Sequence, residues 1–163
     1  MLKTTLTAHD RKHMIDQIRN LPALVRDSVK GLNDEQLNTP YGPGKWTVLQ
    51  VVHHLADSHM NAFVRMKLVL TEDHPTIKVY GQDDWARTRE ASQYPIQASL
   101  SIISGLHERW SNLLDSLPEP AWKRTAYHPE HGDMILEDFL KIYAGHGENH
   151  VGQITRLRKD RGW

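Results

Sequence analysis

Apolar residues return at steps of three and four along four separate stretches of this chain. A chain patterned that way must bury four helical stripes against one another. Met14, Ile18, Leu21, Val25, Val29 and Leu32 mark the first stretch, from about Ala8 to Leu32, with Thr7 placed to cap it. Val48, Val52, Leu55, Ala62, Met66 and Val69 mark the second, from about Thr47 to Leu70. Leu100, Ile103, His107, Trp110, Leu114 and Leu117 share the apolar face of the third, from about Ile96 to Leu117. Phe139, Tyr143, His146, His150, Ile154 and Leu157 define the last, from about Leu136 to Lys159. Pro22 predicts a kink in the first helix, or a fresh start near Asn20. Four amphipathic helices read as an all-α four-helix bundle, and 163 residues suit a single domain over residues 1–163. Residues 71–95, TEDHPTIKVYGQDDWARTREASQYP, show no clear period. So long a connection suggests a crossover rather than an up-down-up-down path. AWKRTAYHPEHGDMIL reads as a short hairpin or an irregular turn around Pro129 and Gly132.

Composition removes several function classes. The chain has no cysteine, so disulfides, thiolate metal sites and cysteine nucleophiles are out. Lys+Arg and Asp+Glu are 20 each, which leaves no overall positive field for nucleic acid or an anionic lipid surface. Its apolar runs fall far short of the roughly 18 residues of a membrane span. MLKTTLTAHDRKHM lacks the apolar core of a signal peptide, so a cytoplasmic location is expected.

Histidine is abundant, with 11 against 2 Phe and 5 Tyr. His146 and His150 stand four residues apart, which on a helix leaves them about 40° apart and one turn along. Both fall on the apolar stripe, and two imidazoles in a core need partners for their ring nitrogens. One metal ion would satisfy both. A third ligand should come from a facing helix, where His53, His54 and His59 are available in VVHHLADSH and His107 on the third helix. Periodicity does not choose among them. HGENH is not an H-E-x-x-H motif, no Glu-x-x-His occurs, and no glycine-rich phosphate loop is present. Gly145, Gly147 and Gly152 flank the pair, where small residues allow a helix or ligand to come close.

GKWTVLQVVHHLADSHMNAFVRMKLVLTE resembles the second helix of YfiT-like proteins of the DinB superfamily. YAGHGENHVGQITRLR resembles their last helix, and HPEHG the segment between the third and fourth. Trp46, the His54–Leu55 step and H-x-x-x-H-x-x-Q-I carry the likeness, which extends over nearly the whole chain, including the long connection with Trp85. The resemblance implies a DinB/YfiT-like bundle in up-down-down-up order. It implies one divalent metal per chain, held by His54, His146 and His150, with His53 and His59 in lining or supporting positions. It also implies a metal-dependent hydrolase and a homodimer. The wider superfamily includes S-transferases that use a low-molecular-weight thiol, of the bacillithiol kind, and a thiol-dependent isomerase.

Three neutral imidazoles leave an ion at least one open position. Water there ionises near pH 7, whereas a thiol would be held as thiolate. Zinc is the expected metal, with nickel next, since imidazole suits both. Asp57 sits one turn from His54, about 60° around the helix, and is the candidate catalytic acid or base. Asn149 and Gln153 lie near the metal-facing edge and could bond substrate or cross-link helices. The expected partner is a small-molecule substrate, bound beneath the 71–95 connection with Tyr80 and Trp85 in the wall. A structural metal or a pure interaction bundle is the remaining reading. With ordinary histidine pKa values near 6.5, metal should leave below about pH 6.

Overall fold

The computed structural model describes residues 6–163. In chain order the elements are α1 (Ala8–Val29), α2 (Asp34–Leu37), α3 (Val48–Thr71), α4 (Gln82–Ala86), α5 (Arg89–Gln93) and α6 (Gln97–Asp115), then a 3₁₀ turn at Glu119–Lys123, β1 (Thr125–His128), β2 (Gly132–Ile135) and α7 (Leu136–Arg161). The long helices α1, α3, α6 and α7 carry the four apolar stripes. Their starts are written locally. Thr7 Oγ1 accepts from Asp10 N at 3.1 Å while Asp10 returns the bond to Thr7 N at 2.9 Å, and Thr47 and Gln50 repeat the device at α3.

α1 packs between α6 and α7, and α3 faces them from the opposite side. Arg11 Nη1 donates to Glu137 Oε1 at 2.7 Å near the starts of α1 and α7, and Arg158 Nη1 donates to the Ser28 carbonyl at 2.9 Å near their ends. Those two helices are therefore parallel. On α3, His53 meets Ser99 and Met66 meets Trp110, so α3 and α6 also run parallel. Arg65 meets Tyr143 while His54 meets His146, so α3 and α7 are antiparallel. The order is up-down-down-up. Parallel neighbours explain the long connection, because the chain leaving Thr71 must return along a helix of 24 residues, roughly 36 Å. That connection is not a plain loop. It holds α4 and α5, each of 5 residues and too short to show a period. It is tied to the β1–β2 hairpin, where Ile77 N donates to the Tyr127 carbonyl at 2.8 Å.

Two apolar clusters make the core. One gathers Ile18, Ala62, Met66, Trp110 and Phe139, the other Leu21, Leu55, Ile103 and Ile154. On α3 and α6 a fully buried histidine, His59 or His107, falls between the residues of the two clusters. Histidine thus forms a polar layer across the middle of the bundle. α1 does not break at Pro22 but runs through it, and it ends at Val29 rather than Leu32, ahead of Gly31 at φ 78°.

Of the three glycines near the histidine pair, only Gly147 marks a close approach, since a Cβ there would lie 2.2 Å from Leu21 Cδ2. Gly145 and Gly152 face nothing within 4 Å. Gly147→Ala is therefore expected to lower net stability by about 1 kcal/mol or more, although Ala is the better helix former. Gly152→Ala should raise stability by up to about 1 kcal/mol. Denaturant melts of both variants test the pair, and a stabilised Gly147→Ala would contradict the packing.

Candidate metal centre

The antiparallel contact of α3 with α7 sets His54 opposite His146 and His150. Ring centroids are 5.3 Å apart for His54–His146, 4.8 Å for His54–His150 and 4.6 Å for His146–His150. One nitrogen from each ring lies within 4.8 Å of the others, so the three could hold one ion. His54 Nε2 and His146 Nε2 are 3.4 Å apart. Two nitrogens bound at 2.0–2.1 Å to a tetrahedral ion stand about 3.3–3.4 Å apart, so donor type and spacing both fit a divalent metal. Trp46 covers the group, its ring centroid 4.6 Å from that of His54.

The proton positions follow from the neighbours. Pro22 has no N–H for the carbonyl of Ile18, one helical turn back, and His107 Nδ1 bonds that carbonyl at 2.6 Å. A carbonyl only accepts, so His107 carries its proton on Nδ1 and offers a lone pair at Nε2. His59 Nδ1 lies 2.8 Å from that lone pair and donates to it. His59 Nε2 then accepts from His146 Nδ1 at 3.0 Å. The chain leaves His146 with its lone pair on Nε2, towards His54. His150 Nδ1 donates to Gln153 Oε1 at 2.9 Å, which leaves Nε2 as that ring's lone pair. This reading requires neutral rings. Burial first, then the charges of His150 and His146, pushes His54 down to about 3. Burial and then His150 push His146 to about 4. Burial takes His107 to about 4, against the bond to Ile18, and holds His59 well below the usual range.

The other sequence candidates fall elsewhere. His53 has both nitrogens engaged, Nδ1 with Ser99 Oγ at 2.8 Å and Nε2 with the Tyr94 carbonyl at 3.0 Å, so it pins α3 to α6 and offers no free lone pair. His59 and His107 support His146. Asp57 is half-buried among Glu90, His53 and Tyr80 rather than among the three imidazoles. Burial first, and then Glu90, lifts its carboxyl to about 6. Glu148 is exposed and accepts from Gln17 at 3.1 Å. Gln153 orients His150, and Asn149 is exposed.

A cavity of about 610 Å³ opens beside His146, with Ser58, Arg65, Tyr80, His128 and Tyr143 in its wall. Trp85 is not part of that wall. It packs outside against Tyr80, with centroids 4.6 Å apart and the rings tilted by 46°, and stays 40 % exposed. Arg65 escaped the sequence reading, although a cation three residues after Ala62 on a buried stripe was a visible signal. His128, Glu130 and His131 form a second group able to approach one ion, on the rim of the cavity and mostly exposed.

A sequence model of the DinB superfamily matches residues 17–154. A protein of Geobacillus kaustophilus named "Putative metal-dependent hydrolase" is 49% identical over 158 residues, 96% of this chain and 88% of its own. One of Oceanobacillus iheyensis with the same designation is 47% identical over 149 residues, 91% of this chain and 86% of its own. Among solved structures, YfiT from Bacillus subtilis, titled "a probable metal-dependent hydrolase with an unusual four-helix bundle topology", superposes with a TM-score of 0.96 at 37% identity, covering 100% of this chain and 94% of that one.

The depressed histidines also move the expected acid sensitivity. Between the folded values of about 3 to 4 and the ordinary value near 6.5, the unfolded chain binds protons that the folded chain refuses. Stability of the metal-free protein should therefore fall steadily as pH drops from about 6.5 towards 4. For an ion held by these rings, proton competition would likewise move to lower pH. Urea melts across this range should show the decline, and a flat profile would contradict neutral burial of the rings.

Proposed function

The chain belongs to the DinB superfamily, and from that premise we propose that it is a hydrolase dependent on one divalent ion held by His54, His146 and His150. The observation that carries the reading is the convergence of three neutral imidazoles, with those of His146 and His150 fixed by His59 and Gln153 to offer Nε2. Three protein ligands are the mark of a catalytic rather than a closed structural site. The side chains near enough in sequence or space to close it are engaged elsewhere. His53, His59 and His107 use both ring nitrogens, and Asp57 sits with Glu90 and His53. Zinc is the metal we assign, with nickel second. When bound, such an ion supplies Lewis acidity that brings the pKa of water down to about 7.

The chain's own residues supply the rest. Trp46 shields His54 from solvent on one side. The cavity beside His146 has the volume for a small molecule, with hydroxyls of Ser58, Tyr80 and Tyr143 to orient it.

Protein purified without a histidine tag should carry near-equimolar metal by elemental analysis. His150→Ala should lose it and His53→Ala should keep it, and equal loss from both would contradict the ligand set. Metal-loaded protein should cleave simple esters or amides without added thiol, and His146→Ala should not. Thiol conjugation to an electrophile without any hydrolysis would replace the hydrolase reading by a thiol S-transferase on the same three ligands.

A further inference from the structure

We propose that the cavity beside the three histidines receives a substrate bearing one carboxylate, and that Arg65 is the group that receives it. The place of the reacting end rests on the hydrolase reading above. Arg65 lies on the buried stripe of α3 and is 9 % exposed. Its Nη1 donates to Tyr143 Oη at 2.9 Å and its Nη2 to the Lys78 carbonyl at 2.8 Å, while its buried Nε has no partner. Both partners are neutral. Among the described residues no carboxylate lies within ion-pairing distance of the guanidinium, and a buried charge is ordinarily paired. A guanidinium cannot shed its proton to escape that situation.

The missing counter-charge has a place to come from, because Arg65 is part of the cavity wall. Tyr143, its partner, stands three residues before His146 on α7, so the cation and a metal-facing imidazole open on the same space. The acids that line this cavity, Asp83, Asp84 and Glu130, are all exposed, and Asp84 is already paired with Arg87 at 3.3 Å. The buried part of the wall holds Arg65, Ser58, Tyr143 and His128 and no acid. An anionic group is therefore favoured within and a multiply charged one is opposed by the exposed acids, which selects a single carboxylate over a phosphate. Nη1 and Nη2 of Arg65 each use one N–H on the partners named above and keep a second, which with the Tyr143 hydroxyl proton gives the carboxylate its donors.

The test is calorimetric titration of zinc-loaded protein with hydroxamates that end in a carboxylate, at several chain lengths, each beside its amide-ended isostere. The hydroxamate end engages the metal and the tail probes Arg65. At the best length the acid should bind roughly tenfold or more tightly than the amide, the worth of a charged hydrogen bond. Arg65→Met should abolish that preference, so that acid and amide bind alike, and Arg65→Lys, the second variant should the first not fold, should keep part of it. Equal affinity of acid and amide at every length, or a preference that survives in Arg65→Met, overturns the proposal and leaves the metal reading standing. Failure of both compounds to bind overturns the open metal position, and the proposal with it.

Discussion

The carbonyl of Ile18 accepts from His107 at 2.6 Å, and it is available because Pro22 has no N–H to give it. From this bond the protonation of the centre follows in sequence, from His107 to His59 to His146, across α1, α6, α3 and α7. Each ring in the chain would be a costly buried polar group alone. Together they satisfy one another at both nitrogens and end in a lone pair directed at His54. The polar layer divides the apolar core in two, so the same contacts that fix the ring protons also tie the four helices together.

Topology supplies the second half of the site. Because α3 and α6 run parallel, the chain needs a connection as long as the bundle, and that segment passes over the open side of α3 and α7. Val79 to Asp84, with Arg87, roof the cavity there, and the segment is tied to the β1–β2 hairpin through Ile77 and Tyr127. The bundle order and the presence of a pocket thus have one cause.

The four helices were legible because their stripes are long and their starts carry Thr7–Asp10 and Thr47–Gln50. The hairpin was legible from Pro129 and Gly132. Helix order came through resemblance, since apolar spacing says nothing of which helices neighbour each other. Spacing also left His53, His54, His59 and His107 as equals. All four are buried, and what separates them is the partner each ring nitrogen meets on another helix. Pro22 read as a kink or a fresh start because its missing N–H was visible, whereas the acceptor it frees matters only once α6 lies alongside. Arg65 was visible as a cation on an apolar stripe, but that no carboxylate among the described residues pairs with it is a three-dimensional fact.

The proton positions on the histidine rings are directly measurable. Long-range ¹H–¹⁵N spectra of the metal-free protein at neutral pH distinguish the two neutral tautomers of each imidazole. The account predicts His107, His59, His146 and His150 all protonated on Nδ1, with unprotonated Nε2 on His146 and His150. A proton resident on Nε2 of His146, or a charged ring at that position, would contradict it.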